Sequence, residues 1–101
     1  MKEVSPEEAR QLITREKENP NFVILDVRTP GEFELDHLEH AINIDFYMNT
    51  FEEELNKLDK DKVYLVHCRS GGRSEKACEI MNELGFKKIT NVVGFLFPHL
   101  G

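Results

Sequence analysis

The chain predicts an open α/β fold, a mainly parallel sheet with helices on both faces, and three observations carry that expectation. Apolar runs of strand length recur, as at Phe22-Val23-Ile24-Leu25 and Val63-Tyr64-Leu65-Val66, and a strand apolar at every position suits burial on both sides. Between such runs lie segments with helical spacing of apolar residues and polar caps. The two patterns alternate along the chain, as expected of helices that cross over between parallel strands.

The first helix starts at Ser5-Pro6-Glu7-Glu8. A hydroxyl cap, a proline at the first helical position and a glutamate closing the box together satisfy the free N–H groups of an opening turn. Ala9, Leu12 and Ile13 then make one apolar face, and the helix runs out near Asn19-Pro20. Phe22 to Val27 reads as an interior strand. Thr29-Pro30-Gly31-Glu32 repeats the capping pattern and opens a short helical segment, followed by a short strand at Ala41-Ile42-Asn43-Ile44. Thr50-Phe51-Glu52-Glu53 predicts a third capping box, with Phe51, Leu55 and Leu58 at helical spacing behind it. Asp59 to Lys62 is a polar turn into a second buried strand, Val63 to His67. From Arg73 to Leu84 the stripe Ala77, Ile80, Met81 and Leu84 predicts a helix, and Gly85 sits where a left-handed C-cap is wanted. Ile89 to Val93 supplies the last strand.

With 101 residues, 40% of them hydrophobic, and no long Pro, Gly or Ser tract, the chain has room for one core, and residues 1–101 are expected to form a single domain. No apolar run approaches the roughly 20 residues of a membrane-crossing helix, and the opening segment lacks the apolar stretch of a secretory signal. The expectation is a cytoplasmic protein with no membrane partner. A formal charge of −6 opposes binding to phosphate backbones, so no nucleic-acid partner is expected. Cys68 and Cys78 are expected to be free thiols in that compartment.

Chemistry concentrates in Cys68-Arg69-Ser70-Gly71-Gly72-Arg73, the connection between a buried strand and a helix start. Gly71 and Gly72 let successive backbone N–H groups turn inward as an anion-binding nest. The positive end of the following helix, with Arg69 and Arg73, favours negative charge on sulfur and depresses the thiol pKa. Cys68 is therefore the candidate nucleophile. The bland reading, an inert buried thiol, leaves the double glycine and the two arginines without a purpose. Arg69 is expected to face substrate, Arg73 to brace the loop, Ser70 to donate to the anion and Ser74 to serve the helix start.

Asp26-Val27-Arg28-Thr29-Pro30-Gly31-Glu32-Phe33, His37, Ala41-Ile42-Asn43-Ile44 and Cys68-Arg69-Ser70-Gly71-Gly72-Arg73-Ser74 together resemble a single-domain rhodanese, a sulfurtransferase, from about Val4 to Gly94. The resemblance implies a rhodanese-like five-stranded sheet. It implies that Cys68 attacks the outer sulfur of a donor such as thiosulfate, releases sulfite, and carries a persulfide that a thiol or cyanide acceptor removes. The donor it implies is a small sulfur-containing anion or a protein persulfide, and the acceptor a thiol such as that of a thioredoxin-like protein, with no cofactor. By the same resemblance Asp26 and Arg28 support the active-site loop; the other reading is a local ion pair with each other or with Glu32. Phosphatases of this fold have a loop one residue longer, so a cysteine phosphatase is the lesser alternative. A persulfide carrier or partner-binding module that does not turn over free thiosulfate is the nearer one.

The chain departs from the family's usual pattern at Asp36-His37, Glu39-His40 and Gly94-Phe95, the last replacing two glycines close to the site. Phe95 is expected to narrow or line the pocket. Phe95, Leu96, Phe97 and Leu100 either close the core or leave an apolar patch for a partner. Cys78 reads as core. His37, His40, His67 and His99 lack metal-ligand spacing, and no metal is expected. His67 is expected to end its strand with a hydrogen bond, with a minor part in tuning the thiolate. The acidic runs Glu52-Glu53-Glu54 and Glu16-Lys17-Glu18 read as solvated helix faces.

Overall fold

Two of the three expected capping boxes form, and they fix where the first helices begin. In the computed structural model, which describes residues 1–97, Ser5 Oγ accepts from the Glu8 N–H at 3.1 Å and Glu8 Oε1 accepts from the Ser5 N–H at 2.9 Å. Helix α1 follows at Pro6–Glu16. Thr29 and Glu32 exchange the same pair of bonds at 3.3 and 3.0 Å, and open α2 at Pro30–Leu35. The expected box at Thr50 is absent. Its backbone lies at φ −97° and ψ 19° and its side chain makes no cap bond, because an N-cap hydroxyl reaches the first turn only from extended backbone. Helix α3, Phe51–Leu55, instead rests on burial of its two terminal apolar residues.

Five strands make one sheet: β1 (Lys2–Val4), β2 (Phe22–Asp26), β3 (Ile42–Asn43), β4 (Val63–His67) and β5 (Lys88–Val92). Their order is β1-β5-β4-β2-β3, with every recorded pair parallel. The last helix, α4, spans Gly72–Glu83, and Gly85 beyond it takes the left-handed conformation at φ 98°. Strand β1 is the element the sequence does not announce. Its three residues alternate exposed, exposed, buried, too short a run to show a period.

The all-apolar runs are explained by cover on both sides. From β4, Tyr64 and Val66 enter a cluster with Phe51 and Leu55 of α3 and Ala77, Cys78 and Met81 of α4. Leu65 points the other way, into a cluster with Val4, Ala9, Val92 and Leu96, where α1 adds Leu12 and Ile13. Leu96 and Phe97 are buried while Phe95 is half-buried, so the first two close the core; His99 and Leu100 lie outside the described residues. No described helix is long and apolar enough to cross a membrane.

His67 departs from expectation. Its carbonyl accepts from the Val27 N–H at 3.0 Å, but among the described residues neither ring nitrogen has a hydrogen-bond partner. The ring is fully buried beside Asp26, Nε2 to Oδ2 3.7 Å, with Phe97 edge-on to it. Burial pushes the imidazole down to about 4 against the pull of the Asp26 carboxylate, so at neutral pH the ring is an uncharged filler and not a partner for the thiol.

Candidate active site

The strand order reverses between β4 and β2, because β5 lies to one side of β4 and β3 to the far side of β2. Such a reversal leaves a crevice beyond the carboxyl ends of the two strands. The turn after β2 and the Cys68 loop after β4 border it.

Within the loop the chain folds back on its own sulfur. Cys68 Sγ accepts from the Gly71 N–H at 3.1 Å and from the Ser74 N–H at 3.4 Å, and lies 3.5 Å from Ser74 Oγ. While the thiol is protonated it donates to Ser74 Oγ, and the Ser74 hydroxyl donates to the Gly71 carbonyl at 3.1 Å; once the thiol ionises, that single hydroxyl hydrogen can turn to the sulfur. Burial of Cys68 would push its thiol up, and the bonds from the Ser74 hydroxyl and from the N–H groups of Ser74, Gly71 and Ser70 outweigh it, leaving the pKa below the ordinary thiol value. Hydrogen bonds to the charged form have this effect.

The two glycines do different jobs. Gly71 sits at the N-cap of α4 with φ 102°, and a Cβ there would stand 3.3 Å from the Val93 Cα. Only glycine meets both demands cheaply. Gly72 is the first residue of α4, and a Cβ would meet nothing closer than Ser70 Oγ at 4.0 Å. Of the two glycines, only the first is required by backbone conformation and space.

Arg73 does not point at open solvent. Its Nη1 and Nη2 donate to Glu32 Oε1 and Oε2 at 2.7 and 3.1 Å, a bidentate bridge from α4 to α2 across the crevice. The Glu32 carboxyl is held down at about 2, chiefly by these bonds. Arg69 is exposed, its guanidinium 5.1 Å from the centre of the Phe95 ring. Ser70 is exposed and contributes its N–H.

The rhodanese-like domain family matches residues 5–97. The chain belongs to the rhodanese-like domain family. It is 35% identical over 94 residues to YtwF of Bacillus subtilis, named a sulfurtransferase, covering 93% of this chain and 85% of that one. It is 31% identical to the thiosulfate sulfurtransferase GlpE of Coxiella burnetii, covering 92% and 81%. A rhodanese-like domain protein from Staphylococcus aureus superposes with a TM-score of 0.79 at 28% identity, over 95% of this chain and 88% of the other. Against a tRNA uridine(34) hydroxylase of Enterobacter sp. the identity is 35%, but this chain spans only 25% of that protein's length.

In this rhodanese-like domain Asp26 and Arg28 form a buried pair with each other. Arg28 Nη2 meets Asp26 Oδ2 at 2.8 Å, the Arg28 N–H donates to Asp26 Oδ1 at 2.9 Å, and Nη2 also reaches the Asp36 carbonyl at 2.7 Å. Asn43 Nδ2 donates to the carbonyls of both residues. These bonds hold the corner of β2, α2 and β3 and none goes to the Cys68 loop. Glu32, not Asp26 or Arg28, is the residue that meets the loop from the β2 side. In the sequence Glu32 reads as a cap or as a local ion-pair partner of Asp26 and Arg28, since nothing local marks a partner 41 positions away. Cys78 is fully buried in the α4 core, and its thiol is pushed up to about 12 by burial. Neither cysteine is in a disulfide.

Proposed function

We propose that this rhodanese-like domain moves sulfane sulfur through a persulfide on Cys68, taking it from a donor such as thiosulfate and passing it to a thiol or to cyanide. The observation that carries the reading is the ring of donors around Sγ, which lowers the thiol pKa in a buried place. The thiolate attacks the outer sulfur of the donor, the donor's S–S bond breaks, and its electron pair leaves with sulfite. The N–H groups of Ser70, Gly71 and Ser74 then serve the persulfide charge as an oxyanion hole serves oxygen. Gly72 starts the helix whose positive end adds to that field, Arg69, exposed beside the nucleophile and resting on the Phe95 ring, is the cation left for an anionic donor to draw on, and Arg73, locked on Glu32, fixes the loop's far end. Asp26 and Arg28 support the loop indirectly, by setting the corner from which α2 presents Glu32. A thioredoxin-like thiol is a suitable acceptor.

The test is thiocyanate formation from thiosulfate and cyanide, paired with intact-mass analysis of the protein after donor treatment. Wild type is expected to gain one sulfur atom and to produce thiocyanate, and Cys68→Ser to do neither. Sulfur gain or turnover that survives in Cys68→Ser overturns the assignment. A stable sulfur gain without thiocyanate marks the chain as a carrier that passes sulfur only to a partner protein.

A further inference from the structure

The two arginines that flank the nucleophile both have partners within the chain. Arg73 is neutralised by the bidentate Glu32 carboxylate. Arg69 has no carboxylate within 4.0 Å among the described residues, but its guanidinium carbon lies 5.1 Å over the Phe95 ring. That ring is fixed in turn, packed edge-on at 5.4 Å against buried Phe97. On the other side of the loop, exposed Tyr47 stands 5.8 Å from the Arg73 guanidinium. Each arginine therefore carries an aromatic ring, and the loop sits between two aromatic walls in a chain of net charge −6.

Charge balance separates the possible donors. Attack of a thiolate on thiosulfate joins one negative charge to two, and the products, a persulfide anion and a sulfite dianion, keep all three. Attack on a protonated organic persulfide, R–S–S–H, breaks the S–S bond, transfers the outer sulfur with its proton to Cys68 and releases R–S⁻. At the reacting sulfurs that step handles a single negative charge throughout, any charge on R lying away from them, and it needs no oxidant or reductant. A cradle whose cations are already engaged stabilises the second reaction better than the first, since each like charge brought into a partly desolvated site is costly.

We propose that Phe95 is a specificity-determining residue: by holding Arg69 on its ring, it turns the site against small oxyanion donors and toward organic persulfides, whose carbon arm the Phe95 and Tyr47 rings accommodate. This rests on Cys68 being the sulfur acceptor, as proposed above. The experiment measures kcat and KM for thiosulfate and for glutathione persulfide in wild type, Phe95→Gly, Phe95→Leu, and Phe95→Leu combined with Arg69→Ala. Release of Arg69 is expected to lower the thiosulfate KM about tenfold in both single variants, the factor a cation–π contact of this kind supports, with the change in KM rather than kcat. The gain is expected to vanish in the double variant. Phe95→Leu keeps an apolar side chain of similar bulk, so it tests the ring if Phe95→Gly fails to fold. If Phe95→Leu behaves as wild type, or if the gain persists without Arg69, Phe95 is a steric wall and the proposal is overturned. Intact-mass analysis with glutathione persulfide on wild type and Cys68→Ser shows separately whether Cys68 accepts sulfur at all, so failure there is not confused with failure of the Phe95 argument.

Discussion

Cys68 and Cys78 belong to one buried cluster and are equally closed to solvent, yet their thiols are displaced in opposite directions. The difference lies in the backbone around each sulfur. Cys78 sits inside α4, where every nearby N–H is committed to the helix, so desolvation acts unopposed and its pKa rises to about 12. Cys68 sits just before the same helix, where the opening turn has N–H groups to spare, and Gly71 and Ser74 aim theirs at the sulfur. Ten residues apart on one chain, two equally buried thiols are displaced in opposite directions, Cys78 up to about 12 and Cys68 below the ordinary thiol value. Burial by itself says little about reactivity; the count of free donors decides.

The sharpest way to break this comparison is alkylation. A thiol titrating at about 12 holds on the order of one thiolate in 10⁵ at pH 7, and only the thiolate reacts. Iodoacetamide at pH 7 is expected to label Cys68 in preference to Cys78 by a factor on the order of 10³ or more, as read by peptide mass analysis. Because the folded pKa of Cys68 is lowered, its rate should rise with pH through a midpoint below the ordinary thiol value of 9.0. Equal labelling, or a Cys68 midpoint at or above that value, would end the distinction.

Gly71→Ala comes next. A side chain at φ 102°, with its Cβ 3.3 Å from the Val93 Cα, costs about 1–2 kcal/mol of stability in a denaturant titration. The same strain turns the Gly71 N–H off the sulfur and moves the Cys68 midpoint upward. An alanine variant with unchanged stability and an unchanged midpoint would show that the positive φ is dispensable.

Ser74→Ala is the mildest. It removes the hydroxyl 3.5 Å from Sγ but keeps the Ser74 N–H. The Cys68 midpoint is expected to rise while stability drops by about 1 kcal/mol or less, measured by thiolate absorbance and by denaturation. A midpoint that stays put would assign the whole effect to the backbone.

Much of this arrangement is legible in the sequence because it is local. The apolar runs of β2 and β4, the capping boxes at Ser5 and Thr29, and the left-handed Gly85 depend on neighbours within a few positions. The Cys68 loop is equally local, its donors supplied three and six residues on. What the sequence hides is set by long-range packing. The Glu32 to Arg73 bridge, the stack of Arg69 on Phe95, and the unpartnered ring of His67 each depend on segments brought together by the sheet. Strand β1 is missed for a related reason, since three residues at an edge gain their identity from β5 and not from themselves. Thr50 shows the converse error: a capping pattern is permissive, and the preceding chain can still deliver it in the wrong backbone conformation.

Gly94 completes a column of close contacts. A Cβ at Gly71 would press on the Val93 Cα at 3.3 Å and touch the Gly94 N at 3.4 Å, and a Cβ at Gly94 would stand 2.9 Å from the Cγ of Pro6, in the first turn of α1. The sulfur loop leans on the exit of β5, and that exit leans on the beginning of the chain. Mechanically, the N-terminal strand and helix start are the footing of the Cys68 loop. A linker or affinity tag joined ahead of Lys2 is attached to that footing, so the geometry of a fusion at this end bears on the sulfur two contacts away.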